Sequence, residues 1–70
     1  MWIETENGYV KAESIIEVHK RYFSDWRIMF ILSSGDSCIY KHFDKDATEE
    51  MVDIELTKIV TALGNEFIFV

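Results

Sequence analysis

The side chains able to do chemistry in this chain are few. The usual soft ligands and nucleophiles number two histidines, His19 and His42, and one thiol, Cys38. His42 and Asp44 are two residues apart, so on a strand they share a face and could offer two ligands to a metal. Two ligands do not make a site and nothing nearby completes one, so a surface histidine is the simpler account. Cys38 and His42 also share a face, yet four strand residues hold them about 13 Å apart. A thiolate–imidazole pair needs hydrogen-bond contact, so Cys38 reads as a small half-buried residue. The acids from Asp44 to Glu55 are accounted for by helix capping and the helix dipole, without general acid–base work. Gly8, Gly35 and Gly64 each have a turn or a helix end to make, which leaves no glycine-rich phosphate loop. The sequence assigns no catalytic, metal or cofactor-binding residue, and a protein that is not an enzyme is expected.

Four cations, Lys20, Arg21, Arg27 and Lys41, fall among strand aromatics. Such a surface could stack single-stranded bases while its cations hold the backbone. Trp26 and Phe30 are better used in a core, however, and the net charge of −6 opposes phosphate binding. Nucleic-acid binding is therefore the alternative reading and not the first.

The element that organises the rest is a helix over Asp46–Leu63. Asp46 is suited to the N-cap, and Glu49 stands three residues on, where a capping box has its acid. At 100° per residue Val52, Leu56, Ile59 and Leu63 form a narrow stripe with Val60 on its shoulder. Gly64-Asn65 supplies the positive φ that ends helices. Ile54 points about 200° away from Val52, onto the polar face, and Met51 lies at the flank.

Strands precede the helix. Trp2–Thr5 and Tyr9–Lys11 flank Asn7-Gly8, a type I′ hairpin signal. Ala12-Glu13-Ser14 reads as a bend. Ile15–Phe23 is rich in β-branched and aromatic residues, with Ile16, Val18 and Tyr22 on one face and Glu17, His19 and Arg21 on the other. Ser24-Asp25 turns the chain into Trp26–Leu32, which is apolar on both faces: Trp26, Ile28, Phe30 and Leu32 against Met29 and Ile31. A strand of that kind is normally central and covered on both sides. Ser37–Phe43 returns, with Ile39 and Phe43 on one face and Cys38, Tyr40 and His42 on the other. The apolar ending Phe67-Ile68-Phe69-Val70 reads as a short fifth strand or a docked segment. The expectation is one α+β domain over residues 1–70: a four-stranded antiparallel sheet of hairpins, one C-terminal amphipathic helix on one face, and a short C-terminal strand.

Seventy residues allow one modest core. A lone cysteine suits a reducing compartment. No apolar run reaches the roughly 18 residues of a membrane span, and Glu4 and Glu6 stand where a signal peptide has basic residues. A cytoplasmic protein off the membrane is expected. The charge is uneven: residues 9–43 sum to +1, whereas residues 44–70 carry two lysines against seven acids, a net −5.

The opening Met1-Trp2-Ile3, the hairpin at Ser34-Gly35-Asp36 and Phe43-Asp44 leading into one helix resemble a loose group of short single-domain proteins of Gram-positive bacteria, their phages and plasmids. The resemblance implies a sheet of hairpins with one helix and a mobile-element setting; it implies no activity and no site residues.

Two surfaces follow as candidates. Glu50, Met51, Asp53 and Ile54 form a partner surface on the helix. Met29, Ile31, Phe67, Ile68, Phe69 and Val70 form a self-association surface, because one helix covers only one face of the sheet. The reading is a small acidic interaction module, expected to be a homodimer with a further protein partner, and possible as a regulator or inhibitor of a host protein.

Overall fold

The computed structural model describes residues 1–64 and the backbone of residues 68–69. Five strands precede one helix: β1 (Trp2–Thr5), β2 (Gly8–Lys11), β3 (Ile15–Tyr22), β4 (Trp26–Leu32), β5 (Ser37–His42) and α1 (Glu49–Leu63). The fold is α+β. It has not one antiparallel sheet but two: β1 and β2 pair as a separate ribbon, while β3, β4 and β5 form an antiparallel sheet with β4 in the centre. Beyond α1, the backbone of Ile68–Phe69 lies in parallel register with Glu17 and Val18.

The β1–β2 hairpin shows why the ribbon stands apart. Thr5 pairs with Gly8, so Glu6 and Asn7 form the tip, one residue earlier than expected. Among the described residues Ser24 alone combines a side chain with positive φ, so Asn7 does not adopt the type I′ conformation. Gly8 carries the positive φ instead, at 108°. Asn7 is committed elsewhere: its Oδ1 accepts from the Ile39 N–H at 2.9 Å, while the Glu6 N–H donates to the Ile39 carbonyl at 2.9 Å. The hairpin tip thereby clamps one point on the edge of β5. The 3-10 turn Ala12–Ser14 supplies the expected bend into β3.

Two register shifts decide which residues reach the core. In β3, Ile15 pairs with Leu32 but Glu17 with Ile31, which makes Ile16 the extra residue. Ile15 and Val18 are both buried and Ile16 is turned out, 50% exposed, against the expectation that Ile16 and Val18 share a face. In β5, Lys41 pairs with Ile28 but Ile39 with Met29, so Tyr40 is extra. Cys38 and Phe43 therefore both enter the core, and the Tyr40 ring stacks on Phe30 with centroids 4.9 Å apart. The expected split of β5, with Ile39 and Phe43 against Cys38, Tyr40 and His42, is corrected by that one residue. A bulge inverts the alternation beyond it.

α1 lies over this core with Val52, Leu56, Ile59 and Val60 buried. It begins later than the expected Asp46. Thr48 is the N-cap, its Oγ1 accepting from the Met51 N–H at 3.3 Å. The Asp46 N–H donates to Asp44 Oδ1 at 3.0 Å, a local turn that competes with helix. Gly64 ends α1 with φ 94°. Among the described residues no helix is long and apolar enough to cross a membrane.

Candidate functional site

The candidate partner surface on α1 is contiguous. Met51 and Ile54 are each about half exposed, at 50% and 51%, and Glu50 and Asp53 flank them. Ile54 forms a ridge between two open grooves. One, of about 330 Å³, is bounded by Lys41, Phe43, Met51, Ile54 and Glu55. The other, of about 390 Å³, is bounded by Glu50, Asp53, Ile54, Thr57 and Lys58. Helical spacing put Ile54 and Met51 here. The contribution of Phe43 and Lys41 was hidden, because the β5 bulge turns that end of the strand toward the helix.

Charge at this surface is more balanced than the run of acids suggests. Lys20 of β3 reaches both Glu49 at 2.8 Å and Asp53 at 2.6 Å, tying the first turns of α1 to the sheet. Asp53, then Glu49, hold the ammonium protonated, raising its pKa above 10.5. Glu49 thus serves a lysine and not a capping box. Glu55 lies 3.6 Å from both Lys41 and Lys58. Among the described residues Glu50 has no ion-pair partner, so uncompensated negative charge sits at the rim of the Ile54 ridge.

The second surface is the outer face of the β3–β4–β5 sheet. Met29, Ile31 and Ile39 are half-buried there, and none packs on the core beneath α1. Glu17 and His19 are hydrogen-bonded at 3.0 Å. His42 faces Asp25 at 2.9 Å, not Asp44, whose carboxylate is used in the turn before α1. Asp25 also takes Arg27 at 3.4 Å. The His42 contact above all, then Arg27, holds the Asp25 carboxyl below its usual range. Of the expected self-association residues, Phe67 and Val70 lie outside the described residues, and Ile68 and Phe69 are described as backbone only.

Cys38 is buried, and burial pushes its thiol pKa up despite a hydrogen bond with Thr5. A raised pKa and an inward side chain make it a poor nucleophile. A third feature, which the strand patterns do not mark, is the exposed aromatics at the ends of hairpins: Trp2 and Tyr9 on the ribbon, Tyr22 and Phe23 at the β3–β4 turn. The end-of-strand position of Tyr22 and Phe23 was the available signal. Arg27 lies over the Phe23 ring and Lys11 over Trp2.

Comparison with protein-family models, curated proteins and solved structures found no match to this chain.

Proposed function

We propose that this chain is a small acidic interaction module, without catalytic activity, that offers the outward face of α1 to a protein partner and pairs with a second copy of itself. The observation that carries the first part is the Met51–Ile54 ridge, half-exposed between two grooves and rimmed by Glu50 and Asp53. An apolar centre with a polar rim is the anatomy of a protein interface. Covering the exposed halves of the two side chains would contribute roughly 2–3 kcal/mol. Glu50, in no ion pair among the described residues, favours a partner with a basic patch, including one that otherwise holds nucleic acid. Regulation or inhibition of a host protein by a mobile-element product, in the reducing cytoplasm, is the setting we infer from the resemblance and the free thiol. The C-terminal segment, in this reading, adds a short strand to the open edge of β3, as the parallel register of Ile68 and Phe69 supports.

The test is affinity capture from cells of the source organism with the tagged protein and with a Met51→Asp/Ile54→Asp variant. A partner held by the parent chain and lost by the folded variant is the expected result. Indistinguishable captures would overturn the assignment of this face.

The competing nucleic-acid reading is weakened by electrostatics. Lys20, Arg27 and Lys41 each already face a carboxylate of this chain within 3.6 Å, so phosphate would have to displace it. A retardation assay at low salt with single- and double-stranded DNA and RNA should show no shift at micromolar protein.

A further inference from the structure

The strand register orders the outer sheet face into rows. His19 pairs with Met29 and Met29 with Ile39, so these three stand side by side across β3, β4 and β5. The next outward row toward one end is Glu17, Ile31 and Ser37; toward the other it is Arg21, Arg27 and His42. The face is therefore apolar in the middle, acidic at one end and cationic at the other. Arg21 and Arg27 are directly opposed, an arrangement that is unfavourable for like charges. Asp25 relieves Arg27. Among the described residues Arg21 is in no ion pair.

The geometry points to a second copy of this chain as the occupant of this face, docked about a twofold axis that lies in the interface along the His19–Met29–Ile39 row. The inference rests on the self-association reading above and adds its axis and its contacts. Half a turn about that row lays sheet on sheet, keeps each strand over its own copy and reverses its direction. Met29 and Ile39 then meet their own copies on the axis, as an isologous contact requires. Glu17 and Arg21 are each two residues from His19, so Glu17 of one copy faces Arg21 of the other. Each docked pair thus gains two crossed ion pairs and a counter-charge for Arg21. An axis parallel to the strands along β4 would instead keep the cationic ends together, with Arg27 against its own copy and Glu17 far from Arg21, so charge selects the crossed arrangement.

The patch is small. Five residues at about 3.3 Å along three strands about 4.8 Å apart span roughly 17 Å by 14 Å. A standard stable interface buries about 800 Å² per partner, more than this patch supplies. The dimer is accordingly weak, with a dissociation constant on the order of 10⁻⁴ M.

Sedimentation equilibrium from about 10 μM to about 1 mM, with the full chain and three variants, tests it. The parent chain should move from its 8.3 kDa monomer toward twice that mass. Glu17→Arg and Arg21→Glu should each weaken the dimer at least about tenfold, and the double reversal should recover it to within about threefold. Within one copy the two side chains are about 13 Å apart along β3, so recovery reports a contact between copies. Far-UV circular dichroism establishes that each variant is folded. A monomer at every concentration overturns both the self-association reading and this docking. A dimer indifferent to the charge reversals, or one that the double reversal fails to recover, overturns the docking and leaves self-association standing.

Discussion

Ile28 and Phe30 of β4 point toward α1 and are fully buried, whereas their neighbours Met29 and Ile31 point the other way and remain half-buried. The two faces of this strand are made of similar residues, and only one of them has a helix over it. The inner face is sealed by Val52 and Leu56 of α1, by Ile15 and Val18 of β3, and by Cys38 and Phe43 brought in through the β5 bulge. The outer face has Glu17 beside Ile31 at one end, Arg21 and Arg27 at the other, and Met29 and Ile39 between them. The difference teaches that apolar character alone does not define a core. A half-covered sheet face with ordered charges has the composition of a surface that meets something else.

The strongest way to test that contrast is to shorten one side chain from each face. Phe30→Ala should cost about 3–5 kcal/mol, through lost burial, a residual cavity and the lost Tyr40 stack. Met29→Ala, measured at micromolar concentration where the monomer prevails, should cost less than about 1 kcal/mol. Urea unfolding of both variants checks this, and equal losses would mean that the outer face is covered within the chain.

Thiol reactivity separates the faces by a second observable. Cys38, inward and with its pKa raised by burial, should react at least about 100-fold more slowly with an aromatic disulfide reagent than in urea. A cysteine placed on the outer face by Ile39→Cys, in a Cys38→Ala background, should react at nearly the unfolded rate when the protein is dilute. Protection of that site in dilute protein would break the comparison.

The start of the covering helix gives a smaller effect. Thr48→Ala should cost about 1 kcal/mol by removing the cap on the Met51 N–H. Asp46→Ala should cost less, because Asp46 lies outside the helix and offers only its backbone N–H to Asp44. Thermal melts of the two variants rank them, and the reverse order would return the cap to Asp46.

The smallest effect lies at the cationic end of the outer face. Asp25 is held below its ordinary value of 3.8, first by His42 and then by Arg27. A carboxyl whose folded pKa is depressed contributes stability above its unfolded value and loses it as pH falls through the folded one. Acidification below pH 3.8 should therefore remove a modest increment, and Asp25→Asn should lack that part of the acid limb. Stability curves between pH 6 and pH 2 compare the two.

Much of this architecture was legible because the signals are local. Periodicity marked the stripe Val52–Leu56–Ile59 and set Ile54 outside it; β-branched runs between polar turns marked β3, β4 and β5. What stayed hidden was non-local. Asn7-Gly8 is a strong hairpin signal, but the Asn7 side chain is drawn to the Ile39 backbone and Gly8 takes the positive φ alone. Lys20 has the sequence setting of a phosphate ligand, and only the fold brings Glu49 and Asp53, 29 and 33 residues away, against it. The Ile54 ridge was legible from helical spacing, while the Phe43 wall of its groove depended on a bulge that alternation does not announce.

The amino-acid sequence by itself determined the element types, the placing of acid on the helix and the double-faced apolar character of β4, since each depends on side chains a few positions apart. Tertiary structure alone decided the phase of β3 and β5 at their bulges, the separation of the N-terminal ribbon and the pairing of Lys20 and Lys41 with carboxylates of α1. Those are outcomes of which segments come to lie together. One extra residue in a strand reverses every side chain beyond it, and only the neighbouring strand determines where that residue goes.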